Sequence, residues 1–250
     1  METRINKYLS EVGFCSRREA DKLLEQGRIT INGKKPELGT KVSDADEICV
    51  DGKNIKKTEE KHVYIAFNKP IGIVCTTDTK REKNNIVDYI NHPKRIFPIG
   101  RLDKPSEGLI LLTSDGDIVN KILRARNNHE KEYAVAVNHP VTEEFLQKMR
   151  EGVWIEDLAV KTKPCKAWKT GPYTFHIILT QGLNRQIRRM CEACGCHVRT
   201  LKRVRIMNIH LGNLKEGSFR EITGEEYRTL LAQLEQSKSL SERDLRLKNK

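Results

Sequence analysis

No stretch of this sequence approaches the roughly 18 consecutive apolar residues that a membrane-spanning helix needs, which argues against a membrane protein. The opening METRINKYLSEVG has no apolar signal region, so the expected location is cytoplasmic. No glycine-rich loop follows any segment that reads as a strand, which argues against a nucleotide-binding βαβ unit. Disulfides are not expected either: the seven cysteines are odd in number and scattered, the pattern of reduced thiols. Acidic residues are outnumbered, 34 Asp and Glu against 46 Lys and Arg, for a formal net charge of +12. Such a balance suits a polyanionic partner, most often nucleic acid, but solubility alone explains it equally well. The distribution of the charge has to decide.

What is present falls into two parts, and 250 residues suffice for one medium and one small domain. Residues 1–60 read as a small unit with two short helices and a few short strands. SRREADKLLEQG opens with the capping-box pattern Ser16-x-x-Glu19, carries Ala20, Leu23 and Leu24 at helical spacing, and stops at Gly27. Asn32-Gly33 in RITINGKK is the preferred two-residue turn between strands. Over residues 1–60 twelve cations balance twelve acids, whereas over 1–35 there are eight against five. Arg17, Arg18, Lys22 and Arg28 belong to that basic half, although an ordinary solvated helix face reads the same way. A polar linker follows at about 53–61.

The remainder, 62–236, alternates strands and helices. HVYIAF (62–67), GLILLT (108–113), KEYAVAV (131–137) and YTFHIILT (173–180) read as strands. SDGDIVNKILRA, TEEFLQKMREG, NRQIRRMCEACG and TGEEYRTLLAQLEQ read as helices with recognisable caps and glycine stops. The fold class is α+β, a mostly antiparallel sheet with flanking helices. The end, 237–250, reads as a charged, flexible tail.

Three places offer chemistry. Residues 185–205 hold seven cations (Arg185, Arg188, Arg189, Arg199, Lys202, Arg203, Arg205) and one acid, Glu192, a density suited to phosphates. Arg185 stands at a strand-to-helix junction, where an arginine calls for an anionic partner. Asp103 is a carboxylate beside a buried strand in GRLDKPSEGLILLT; a rigid loop of that kind suits a functional group, and an ordinary turn cap looks the same. CEACGCH (191–197) has zinc-ligand residue types but no second ligand pair, and two of its cysteines fall inside a helix, so no metal is expected. Tyr133 by itself signals only a core tyrosine with a wet hydroxyl.

Taken in order, GRLDKPSEGLILLT, KEYAV and QGLNRQIRRM resemble the signatures of the RsuA/RluB/RluE/RluF family of rRNA pseudouridine synthases, and NNHEKEY and QGLNRQIRRMCE look closest to its RluF branch, which acts on 23S rRNA. Residues 1–60 resemble an S4 RNA-binding domain. The resemblance implies a catalytic domain on a mixed, mostly antiparallel sheet and an isomerase that needs no cofactor. It implies Asp103 as the catalytic aspartate, kept ionised by Arg185, with Tyr133 against the flipped base. Arg101, Arg188, Arg189, Lys202 and Arg203 would meet RNA beside the active site, and Arg17, Arg18, Lys22 and Arg28 would hold it on the S4-like unit. The implied partner is a structured 23S rRNA stem-loop met by a monomer. A non-catalytic RNA-binding protein, or a synthase acting on 16S rRNA or tRNA, remains the alternative.

Overall fold

The computed structural model describes residues 2–56, 61–124, 127–235 and 237. The chain divides into two compact units, Met1–His62 with Pro93–Arg95, and Val63–His92 with Ile96–Lys250. The expected tail, apart from Ser237, and the middle of the expected linker, 57–60, lie outside the described residues. No described helix is long and apolar enough to cross a membrane.

In the first unit β1 (Thr3–Arg4) leads into α1 (Ile5–Glu11) and α2 (Arg17–Glu25). Four short strands follow: β2 (Ile29–Ile31), β3 (Lys41–Val42), β4 (Ile48–Val50) and β5 (Lys53–Asn54). Helix α2 begins where the capping pattern puts it, with the Ser16 hydroxyl accepting the Glu19 N–H at 3.1 Å. Its apolar stripe, Ala20, Leu23 and Leu24, packs with Ile5, Leu9 and Ile29 in a core of the unit's own. Asn32 and Gly33 adopt the positive φ of the expected turn, 50° and 77°, but the turn closes only a single bridge, Ile31 to Lys34. β2 takes β4 as its partner instead. Pro36 has no N–H with which to continue a ladder after Lys35. Lys53–Asn54, expected to begin the linker, pair with β4 as a strand.

The second unit contains β6 (Tyr64–Lys69), α3 (Ile86–Ile90), β7 (Phe97–Ile99), β8 (Glu107–Thr113) and α4 (Gly116–Leu123). β9 (Lys131–Val137), α5 (Glu143–Glu151), β10 (Trp154–Ile155), β11 (Val160–Lys161), β12 (Lys166–Gly171) and β13 (Thr174–Leu179) come next. The unit ends with α6 (Gln186–Ala193), β14 (Val198–Ile206), β15 (Ile209–His210), β16 (Phe219–Glu221) and α7 (Gly224–Glu235). Its sheet runs β12-β13-β9-β14-β8-β6-β16, with β15 on β14 and β7 on β8; β10 and β11 form a separate pair. All neighbours are antiparallel except β14 with β8. The apolar run of β8 lies inside the sheet, between β14 and β6, and is buried on both faces.

Alternation along the strands sorts the core. Val135, Val137, Phe175, Ile177 and Leu201 face α5 and α6 through Leu146, Met149, Ile187 and Met190. Leu109 and Leu111 turn to the other face, under Ile118 and Ile122 of α4 and Leu230 and Leu234 of α7. β6 runs two residues past the expected HVYIAF, because Asn68 and Lys69 are buried polar residues whose side chains find internal partners. The parallel pairing of β14 with β8 depends on Gly108. Its φ is +98°, and a Cβ there would lie 2.8 Å from the Arg203 nitrogen and closer still to its carbonyl oxygen.

Candidate active site

Asp103 lies in the connection from β7 to β8, where the chain turns before entering the buried strand. The turn is held from both sides. Ser106 N–H donates to the Asp103 carbonyl at 3.0 Å, and Leu102 N–H donates to the buried Cys75 thiol at 3.4 Å. Arg188, nearly buried on α6, reaches across with one terminal nitrogen to the Pro105 carbonyl and the Ser106 hydroxyl, each at 3.1 Å. A carboxylate whose neighbours are tied to a helix, to a buried thiol and to its own turn keeps one position, as chemistry at a single atom requires.

Arg185 comes from the other side of the site. It is the N-cap of α6 and sits in the left-handed region, φ 51° and ψ 33°, a conformation costing a non-glycine residue about 1–3 kcal/mol and concentrated at functional sites. Gln186 secures the corner, its side-chain oxygen accepting the Leu183 N–H at 3.0 Å. The Arg185 guanidinium thereby stands 3.9 Å from the Asp103 carboxylate, with the two side chains 42% and 33% exposed. The pair attracts through space across an open mouth and leaves carboxylate lone pairs facing it.

Tyr133 rises from β9, half-buried, and packs against both the core under α6 and the core under α3. Its cross-strand partner is Arg203, whose guanidinium carbon is 5.9 Å from the ring centroid. Asp103, Tyr133 and Arg185 line one open cleft of about 460 Å³, together with Arg101, Leu179, Ile187 and Leu201. The cleft therefore presents a carboxylate and two guanidinium groups at a wall of aliphatic and aromatic surface, a setting for a planar base joined to a sugar.

Lys69 escaped the sequence reading. Its ammonium is fully buried and donates to the carbonyls of Pro70 and Ile73 at 2.8 and 2.9 Å. Burial pushes it below the ordinary lysine range, and the negative charges of Asp103 and Glu107 act in the opposite sense. The only signal in the sequence is a lysine ending an apolar strand directly before a proline. Ser106 and Cys75 escaped because each acts through a contact with a distant segment, Ser106 with Arg188 and Cys75 with Leu102.

The basic run 185–205 does not form the surface its composition suggests. Arg203 is buried and donates to the Leu109 carbonyl at 2.7 Å, and Arg188 is taken up by the Asp103 turn. Both therefore depart from the expected place on an RNA-facing surface, since strand alternation and helical spacing carry them inward. Arg189 pairs with Asp157 at 2.5 Å. Arg205, at 2.9 and 3.0 Å from Glu130 and Glu132, is neutralised by acids some 70 residues earlier in the chain. Arg101 and Arg199 remain exposed, and Lys202 is half-buried. On the first unit Arg17, Arg18, Lys22 and Arg28 are all exposed, with Arg28 paired to Asp51. Among the cysteines that prompted the zinc reading, Cys191 and Cys196 are core residues, while His197 is exposed. Among the described residues no group of three or more His, Cys, Asp or Glu is placed to hold a metal ion.

A family model described as RNA pseudouridylate synthase matches residues 63–193, and an S4 domain model matches residues 3–48. The dual-specificity RNA pseudouridine synthase RluF of Escherichia coli strain K12 is 54% identical over 237 residues, covering 94% of this chain and 81% of that protein. The ribosomal large subunit pseudouridine synthase B of Bacillus subtilis strain 168 is 35% identical, covering 94% of this chain and 98% of that protein. A crystal structure of a pseudouridylate synthase superimposes with a TM-score of 0.66 at 29% identity, over 92% of this chain and 99% of that one.

Proposed function

We propose that this chain, which belongs to the RNA pseudouridylate synthase family, isomerises a uridine of structured 23S rRNA to pseudouridine, with Asp103 as the reacting carboxylate. The observation that carries the reading is the convergence of Asp103, Tyr133 and Arg185, from three separate segments, on one cleft.

The reaction needs no net oxidation or reduction. The N1–C1′ bond of uridine breaks, the uracil rotates, C5 bonds to C1′, the C5 proton leaves and N1 gains one. A charged carboxylate at the ribose can act as nucleophile or as base, and the Arg185 guanidinium stands 3.9 Å from it. Tyr133 offers a ring face to the uracil and a hydroxyl for proton removal at C5. The uridine must first leave its stack, at a cost of a few kcal/mol. Arg101 at the cleft mouth, and the exposed Arg17, Arg18 and Lys22 of the S4 unit, offset that cost through phosphate contacts.

The large-subunit name of the B. subtilis relative supports 23S rRNA as the target. A ribosomal RNA substrate supports a cytoplasmic site of action. The deciding experiment measures tritium release from 5-tritiated uridine in rRNA. Asp103→Asn should abolish release and leave RNA affinity within about threefold, roughly 0.65 kcal/mol. Unchanged turnover would remove Asp103 from the chemistry and favour the non-catalytic alternative. Mapping pseudouridine in 23S rRNA, 16S rRNA and tRNA from cells with and without the protein tests the choice of RNA.

A further inference from the structure

A second cleft, about 1610 Å³ and open, adjoins the first and shares Arg101, Leu102, Asp103 and Arg185 with it. One wall is the segment 74–82; the other comprises Lys104, Pro105 and Asn184. The segment is anchored at both ends rather than loose. Val74 N–H donates to the Asn84 carbonyl and Ile86 N–H to the Val74 carbonyl, at 2.9 and 3.0 Å. Inside it, the Thr76 hydroxyl accepts the Asp78 N–H and Asp78 accepts the Arg81 N–H, at 3.0 and 3.2 Å. Glu82 accepts the Asn84 N–H at 3.3 Å. Asp78 and Glu82 are thus engaged by backbone amides close by in the chain. Arg81 is almost fully solvent-exposed, its side chain at 90%, and lies 3.6 Å from the Asp78 carboxylate; Thr77, Lys104 and Asn184 are exposed as well, the Asn184 side-chain oxygen accepting from Arg189 at 3.4 Å.

This inference rests on the synthase reading and deepens it. A base drawn into the smaller cleft remains covalently joined to its neighbours, so an adjoining nucleotide has to pass the mouth at Asp103 within one backbone step. The larger cleft is the space it enters. We propose that this second cleft seats the nucleotide adjoining the target uridine. Arg81 and Lys104 hold its phosphate, and Thr77 and Asn184 bond the edge of its base. Phosphate contacts position and base contacts specify, so the pinned wall at 74–82 contributes to the choice of uridine.

Two measurements test this. In the first, 4-thiouridine replaces either neighbour of the target in a stem-loop RNA, and photocrosslinks are mapped on the full-length protein. Crosslinks to residues 74–82 are expected from one of the two positions. Crosslinks from both positions that all fall elsewhere would overturn the assignment, and this readout does not depend on turnover. In the second, tritium release is followed for RNAs carrying the native neighbour or an abasic neighbour. Wild type should prefer the native base at least tenfold in kcat/KM. The Thr77→Ala/Asn184→Ala variant should prefer it less than threefold, while keeping its rate on the abasic RNA within threefold of wild type. A variant that discriminates as wild type does, or a wild type that does not discriminate, would overturn base reading at this cleft. Wild type inactive on every RNA, with crosslinks still at 74–82, would sink the synthase reading and leave the nucleotide seat standing.

Discussion

At the scale of single residues, the site depends on how its charges are buried. Arg188 places no charge on the surface; it fastens the turn that carries Asp103 through Pro105 and Ser106. Arg188→Met should therefore lower kcat by about 100-fold, the effect of a displacement near 1 Å at a reacting group, with KM changing far less. Single-turnover tritium release separates the two, and a fall confined to KM would return Arg188 to RNA contact. Lys131 offers a test of electrostatics. Burial, helped by the charge of Arg203, pulls its ammonium down to about 8 from an ordinary 10.5. Between those values the unfolded chain holds the extra proton, so stability rises with pH across that window. The full span from 8 to 10.5 corresponds to about 3 kcal/mol. Lys131→Met should be more stable than wild type at pH 7, by up to that amount, and lack the rise. Urea titrations at pH 7 and pH 10 measure both effects, and an equal rise in the variant would contradict the assignment.

At the scale of elements, the critical contact is the parallel pairing of β14 with β8, because β8 follows directly from the Asp103 turn. The pair closes at Gly108 against the backbone of Arg203. Gly108→Ala should cost about 2–4 kcal/mol, combining a φ unsuited to a side chain with overpacking against main chain. Chemical denaturation would register the loss, and a change below 0.5 kcal/mol would mean that the two strands can separate cheaply. Several elements were legible beforehand for local reasons. The Ser16 cap starts α2, the Gly-Leu-Ile-Leu-Leu run is a buried strand, and KEYAVAV is a strand over the residues expected. Those that escaped have mixed or interrupted patterns. β7 contains Pro98, β12 is an edge strand with the half-polar sequence KAWKTG, and β16 is three residues long. In each, pairing with a distant strand decides the conformation more than the residues themselves do.

At the scale of the whole molecule, the two units suggest a division between holding RNA and transforming it. Replacing Arg17, Arg18 and Lys22 by glutamine should weaken rRNA binding and lower the slope of log affinity against log salt by roughly 2–3, at about 0.7–0.9 per phosphate contact. Filter binding across a salt series reads that slope, and an unchanged slope would take this helix face off the RNA. The chain by itself determined the α+β class, the main buried strands and the order of the three motifs, because caps, periodicity and apolar runs act between residues near in sequence. The folded structure alone decided which cations are available. Arg203 and Arg188 lie inside, Arg205 is neutralised by Glu130 and Glu132, and Arg185 is left facing Asp103. Charge acts through space at a few ångströms, and only folding sets which groups from distant segments come that close.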